Sequence, residues 1–178
     1  MSIINVSSND HLGGNMDYVK EVIYKYIQLK YGSLKKSPFD YQKIRNTINS
    51  LQKEHFNPHN LLTLDIKSPY GGHRKFIPIG GDSQKLIVFI HGGGFIFGQA
   101  LYDNIAPNLA YYTGYPVLSL EYPKAPENPF PMAINSCFEQ YKTLLEKGYL
   151  PQDLVLAGGS AGANLALSLL IKIRDEGL

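Results

Sequence analysis

The chain has 178 residues, 44% of them hydrophobic and 18% charged, with a formal net charge of +2: one domain's length, enough apolar content for a real core, and no basic tract to meet nucleic acid or an anionic membrane surface. Cys137 is the single cysteine, which excludes an intramolecular disulfide and a cysteine-based metal cluster and suits a reducing compartment. The polar first ten residues lack the basic start and apolar centre of a signal peptide, and no run approaches the roughly 18 apolar residues of a membrane span, so the sequence reads as soluble and cytoplasmic.

Residues 1–15, rich in Ser, Asn and Gly, read as a loosely held arm. From Asp17 the apolar positions Val19, Val22, Ile23, Tyr26, Ile27 and Leu29 recur at helical spacing until Gly32. A second helix is predicted behind Ser37-Pro38-Phe39-Asp40. That string places a capping hydroxyl, a proline at the first helical position and an acid in the first turn, ahead of Tyr41, Ile44, Ile48 and Leu51 on one face. Residues 61–67 and 73–79 alternate apolar and polar side chains about Ser68-Pro69-Tyr70-Gly71-Gly72, the pattern of a hairpin.

Residues 85–90 run apolar without alternation, as a strand at the centre of a parallel sheet does, and lead into His91-Gly92-Gly93-Gly94. Three successive glycines leave backbone N–H groups unshielded and able to meet an anionic oxygen. A helix over 102–112 with Ile105, Leu109 and Tyr112 inward and a strand over 116–120 follow. After the proline-rich block Glu121-Tyr122-Pro123-Lys124-Ala125-Pro126-Glu127-Asn128-Pro129-Phe130-Pro131, a helix is predicted over 132–147. It carries Ile134, Phe138, Tyr141 and Leu145 on one face, has Gly148 as its stop, and holds Cys137 as a small core residue. Alternating strands and helices predict an α/β fold with right-handed crossovers.

Residues 154–157 form a last short apolar strand and residues 164–174 a helix, so the chain reverses within about five residues around Ser160. Gly158 and Gly162 remove the Cβ atoms that would collide where strand and helix pass closely, and the G-x-S-x-G spacing leaves the Ser160 hydroxyl at the apex of a nucleophile elbow. The helix is apolar nearly all round, which predicts burial on several sides.

In this order and spacing, the His91–Gly94 loop, the Glu121–Pro131 block and the elbow resemble the hormone-sensitive-lipase-like carboxylesterases and lipases of the α/β-hydrolases. Pro123 and Lys124 stand where that family has Arg and Leu, and Gly159 and Ala163 replace the Asp and last Gly of its elbow string. The resemblance implies the N-terminal portion of an α/β-hydrolase fold, a mostly parallel sheet flanked by helices. Residues 1–60 would be an arm and cap helices over the acyl pocket, and residues 61–178 a partial core. Helices packed only for stability fit the pattern of the first 60 residues equally well.

For chemistry, the resemblance implies a serine carboxylic-ester hydrolase acting on small-molecule esters without cofactor or metal. Ser160 would be the nucleophile and the N–H groups of Gly93, Gly94 and Ala161 the oxyanion hole. His91 and Gly92 would shape the loop, and Gly158 and Gly162 the elbow. Phe95, Phe97 and Tyr102 either line an acyl pocket or simply pack, and Glu127 is expected to partner nearby backbone.

The family's order is Ser, then acid, then His. Here His11, His55, His59, His73 and His91 all precede Ser160, and the downstream acids Asp175 and Glu176 lie about 20 Å along the following helix. The family's fold continues with about three more strands that carry the acid and the histidine. The expectation is a fragment that is weak or inactive alone. The alternative is a non-catalytic acyl-ligand-binding module or an inactive remnant of an interrupted gene. In the usual strand order, strand 154–157 becomes an exposed apolar edge, open to self-association or to a complementing chain.

Overall fold

Leu86–Ile90 is apolar at every position because both of its faces are covered. In the computed structural model, which describes residues 40–51, 61–81 and 84–178, all five residues of this strand are buried. Leu86, Val88 and Ile90 face one helical layer, and Ile87 and Phe89 face the other. All described residues except Asp40 belong to one compact unit, Tyr41–Leu178.

The elements in chain order are α1 (Tyr41–Leu51), β1 (Leu61–Ser68), β2 (Gly71–Pro78), β3 (Leu86–Ile90), α2 (Ile105–Thr113), β4 (Val117–Leu120), α3 (Met132–Glu146), β5 (Leu154–Gly158) and α4 (Ala161–Asp175). Short 3-10 turns at Ala100–Tyr102 and Pro151–Asp153 precede α2 and β5. The sheet order is β1-β2-β4-β3-β5. β3 pairs in parallel with β4 and β5, and β2 pairs antiparallel with both β1 and β4, so β2 alone runs against the other four strands. The expected α/β architecture and the hairpin are therefore present, the hairpin with a two-residue turn at Pro69-Tyr70. The predicted helix over residues 17–31, the arm, Ser37 and Pro38 lie outside the described residues.

α3 and α4 pack on each other and on one face of β3. Their shared core with β4 holds Phe138, Tyr141, Leu144, Leu165 and Leu169. Cys137 is fully buried there, and burial pushes its thiol up to about 12, which keeps it protonated. α3 ends as predicted: Gly148 takes a φ of +92°, and the N–H of Tyr149 reaches the carbonyl of Leu144 at 3.1 Å.

Two expectations about helix faces are corrected. The helix expected over 102–112 starts at Ile105, where Asp103 Oδ1 accepts the N–H groups of Ile105 (2.7 Å) and Ala106 (2.8 Å). Its buried residues are Ala106, Pro107 and Ala110, whereas Ile105 and Tyr112 are exposed. The inner face uses small side chains, which lets the helix approach Phe76 and Val117 closely. α4 was expected to be buried on several sides. It buries Leu165, Ala166, Leu169 and Ile173, and leaves Leu167, Leu170 and Ile171 exposed. Among the described residues no helix is long and apolar enough to cross a membrane.

Candidate active site

The turn from β5 into α4 is forced by contact. A Cβ on Gly158 would sit 2.7 Å from the amide nitrogen of Ala163, and one on Gly162 2.5 Å from the His91 carbonyl oxygen. Neither distance is available to a real side chain, so both positions need glycine. Between them Ser160 takes φ +53° and ψ −118°, one of two non-glycine residues with positive φ among the described residues. Such a conformation persists only where its surroundings over-determine it. Here Gly159 donates to Ile90 O (3.3 Å), and Ser160 O accepts from Ala163 (3.0 Å) and Asn164 (3.2 Å). The Ser160 side chain makes no capping bond and the residue is exposed. The Ala161 N–H opens α4, where a helix offers its own amides no acceptor and the macrodipole is positive.

The glycine loop lies against this turn. Because β3 and β5 are adjacent and parallel, with Ile90 opposite Gly158, both strands deliver their loops at the same edge of the sheet. A Cβ on Gly92 would stand 2.8 Å from the Gly159 carbonyl oxygen and 3.4 Å from Ser160 Cβ. Beyond it, Gly93 has φ +124° and Gly94 φ +60°. The Gly93 carbonyl accepts from both Ile96 (3.0 Å) and Phe97 (2.8 Å), so the loop closes on its own carbonyl side. Gly98 (φ +83°) passes under it, where a Cβ would come within 2.7 Å of His91 Nδ1.

His91 is 1% exposed, and both edges of its ring face acceptors. Nδ1 lies 2.7 Å from Gly92 O and Nε2 lies 3.1 Å from Glu121 Oε1, while Tyr122 stacks on the ring and donates its hydroxyl to His91 O at 3.1 Å. His73 accepts the Glu121 N–H on Nδ1 at 2.9 Å. Neither described histidine has a ring nitrogen free at Ser160, and His11, His55 and His59 lie outside the described residues. Asp175 and Glu176, at the far end of α4, pair with Arg174 and Lys172.

Residues 87–178 match the model of a family with the α/β hydrolase fold. The chain belongs to that family. An esterase of Acinetobacter venetianus is 40% identical over 95 residues, which make up 53% of this chain and 31% of that protein. Mouse hormone-sensitive lipase is 35% identical over 101 residues, 54% of this chain and 13% of that one. The solved structure of a hormone-sensitive lipase from a metagenome library superposes with a TM-score of 0.73 at 25% identity, covering 87% of this chain and 53% of the other. The chain thus spans about half of its structural neighbour, and less of these curated relatives.

Further residues tie the glycine loop and the proline block together, and the sequence assigned them no role or another one. Glu121, 1% exposed, accepts from His91, from the N–H groups of Ala100 (3.0 Å) and Tyr122 (3.1 Å), and from Lys124 Nζ. Burial raises its pKa, but the bonds and charges of His91 and Lys124 outweigh burial and hold the carboxyl below the ordinary range. A charged residue directly after a fully buried strand was the available signal. Lys124, a departure from the family pattern, is a partner of this carboxylate.

Glu127 was expected to bind nearby backbone; it does so at its own N–H, and its main partner is the Arg45 guanidinium of α1, held through two bonds of 2.7 and 2.9 Å, a fork that holds the Glu127 carboxyl down at about 2. Arg45 also reaches the backbone, donating to Ile96 O and Ala125 O at 2.9 Å each. Ala125 in turn donates to Phe95 O at 2.9 Å, so α1, the proline block and the glycine loop form one network. At Gly159, where the family has Asp, the nearest atoms to a Cβ would be Ile105 Cδ1 at 3.7 Å and Phe89 Cζ at 3.9 Å, so nothing here demands glycine.

Proposed function

We propose that this chain carries the nucleophile and oxyanion-hole half of a serine carboxylic-ester hydrolase acting on small-molecule esters. The observation that supports this most is the packing of Gly92 against Ser160, which brings the glycine loop and the elbow to one edge of the sheet. In this reading the Ser160 hydroxyl attacks the ester carbonyl and passes its proton to a base. The N–H groups of Gly93, Gly94 and Ala161 receive the negative charge of the tetrahedral intermediate, each worth about 2.7–4 kcal/mol in comparable holes. His91 and Gly92 set the loop's path, and Gly158 and Gly162 set the elbow's.

Among the described residues no base is hydrogen-bonded to the Ser160 hydroxyl. His91 is committed to Gly92 and Glu121, and His73 spends its acceptor nitrogen on the Glu121 N–H and lines a separate cavity, so the described residues activate Ser160 poorly. Serine hydrolases stripped of triad members keep only about 10³–10⁴-fold catalysis over water. The chain alone is therefore a weak or inactive esterase, and the open edge of β5 is where a second copy or a complementing chain would add its strand.

The test uses p-nitrophenyl acetate and a fluorophosphonate on the purified chain. Turnover close to background, with slow stoichiometric labelling that mass spectrometry places on Ser160 and that Ser160→Ala abolishes, is the expected result. Labelling at another residue would refute the nucleophile, and brisk Ser160-dependent turnover would refute the missing base.

A further inference from the structure

Away from the Ser160 turn, a cavity of about 530 Å³ lies between α3 and the outer strands β1 and β2, and it shares no lining residue with the glycine loop or the elbow. Its floor includes Leu86, Leu118 and Leu144, all buried. Its charged groups are mostly cationic. Lys67 and Lys75 come from the hairpin and Lys147 follows α3. None of the three has a carboxylate partner among the described residues. Lys75 is half-buried, and its Nζ rests on a neutral group, the Tyr149 hydroxyl at 2.9 Å. His73 spends Nδ1 as the acceptor of the Glu121 N–H, so its proton sits on Nε2 as a further donor. Burial lowers the pKa of His73, which keeps the ring in that neutral form. The one acid on the wall, Glu139, is paired with Lys142 at 2.8 Å.

Lys75 is partly withdrawn from water without a counter-charge, which is costly, and apolar walls beside it and the exposed Lys67 and Lys147 match a molecule that brings both an anionic head and an apolar body. We propose that this cavity binds a small amphiphilic anion, its carboxylate or phosphate head held by Lys75 and Lys147 and its apolar part laid on Leu86, Leu118 and Leu144. Glu139, already neutralised by Lys142, does not oppose the head group.

Met132 is the one methionine among the described residues and it lines the cavity, so a methyl-labelled sample carries a local reporter. The 178-residue chain would be titrated with sodium octanoate, with 1-octanol as the uncharged match and inorganic phosphate as the bare anion, and Met132→Leu would assign the signal. Octanoate should move the Met132 methyl resonance saturably, and octanol and phosphate should do so at least about tenfold more weakly. Lys75→Gln and the solvent-exposed Lys147→Gln should each weaken octanoate binding about tenfold, with amide spectra otherwise unchanged. Equal binding of octanol, or octanoate binding indifferent to both lysines, would overturn the proposal. So would an unmoved Met132 signal, the result expected if another part of the chain fills the cavity.

Discussion

Gly162 sits so close beneath His91 that a Cβ on the glycine would lie 2.5 Å from the histidine's carbonyl oxygen. The first turn of α4 is thereby pressed onto the end of β3, and the elbow and the glycine loop cannot move independently. Because that contact involves backbone, a side chain there has no flexible neighbour to push aside.

Gly162→Ala should therefore destabilise the chain by about 1–3 kcal/mol through overpacking. Gly159→Ala, at a position with ordinary space around a Cβ, should be neutral or stabilising by up to about 1 kcal/mol through the unfolded state. Urea unfolding of the two variants side by side measures the difference. Equal losses would mean that the elbow has more room than the structure gives it.

Glu121→Gln should cost about 3–5 kcal/mol, because it removes the buried carboxylate that bonds His91 Nε2 and leaves Lys124 without its counter-charge. A pH series adds a second readout. The folded pKa of Glu121 lies below its reference value of 4.5, so its contribution is complete above that pH and is lost as pH falls through the depressed folded value. The wild-type chain should lose stability on acidification below about pH 4.5, and Glu121→Gln should flatten that limb. An unchanged acid limb in the variant would show that other carboxylates produce it.

Arg45 ties α1 to Ile96 O and Ala125 O, and a lysine cannot reproduce the fork. Amide hydrogen exchange across residues 41–51 should speed up about tenfold or more in both Arg45→Ala and Arg45→Lys. Glu127→Gln, which loses only the exposed end of the network, should have the smaller effect. Unaltered exchange in Arg45→Ala would mean that α1 is held by its apolar face alone.

β5 is an edge strand whose Val155 is half exposed, and the following helix α4 leaves Leu167, Leu170 and Ile171 exposed. Sedimentation of the chain should show a mass that rises with concentration, and Val155→Lys should suppress that rise by making the edge repulsive to a second strand. A concentration-independent monomer mass in the wild-type chain would contradict this.

The sequence by itself determined what depends on near neighbours along the chain. The unbroken apolar run of β3, the stop of α3 at Gly148 and the turn at Ser160 between two obligatory glycines are all local, so periodicity and glycine placement reveal them. The family followed from three local strings in order. The tertiary structure alone decided what depends on approach between distant segments. It set which face of α2 turns inward, chosen by the close packing of Ala106 and Ala110 rather than by the larger Ile105 and Tyr112. It also set the Arg45–Glu127 link across 82 positions and the convergence of His91, Ala100 and Lys124 on Glu121. Such contacts form only when loop closure brings remote groups together, and no periodicity along the chain encodes them.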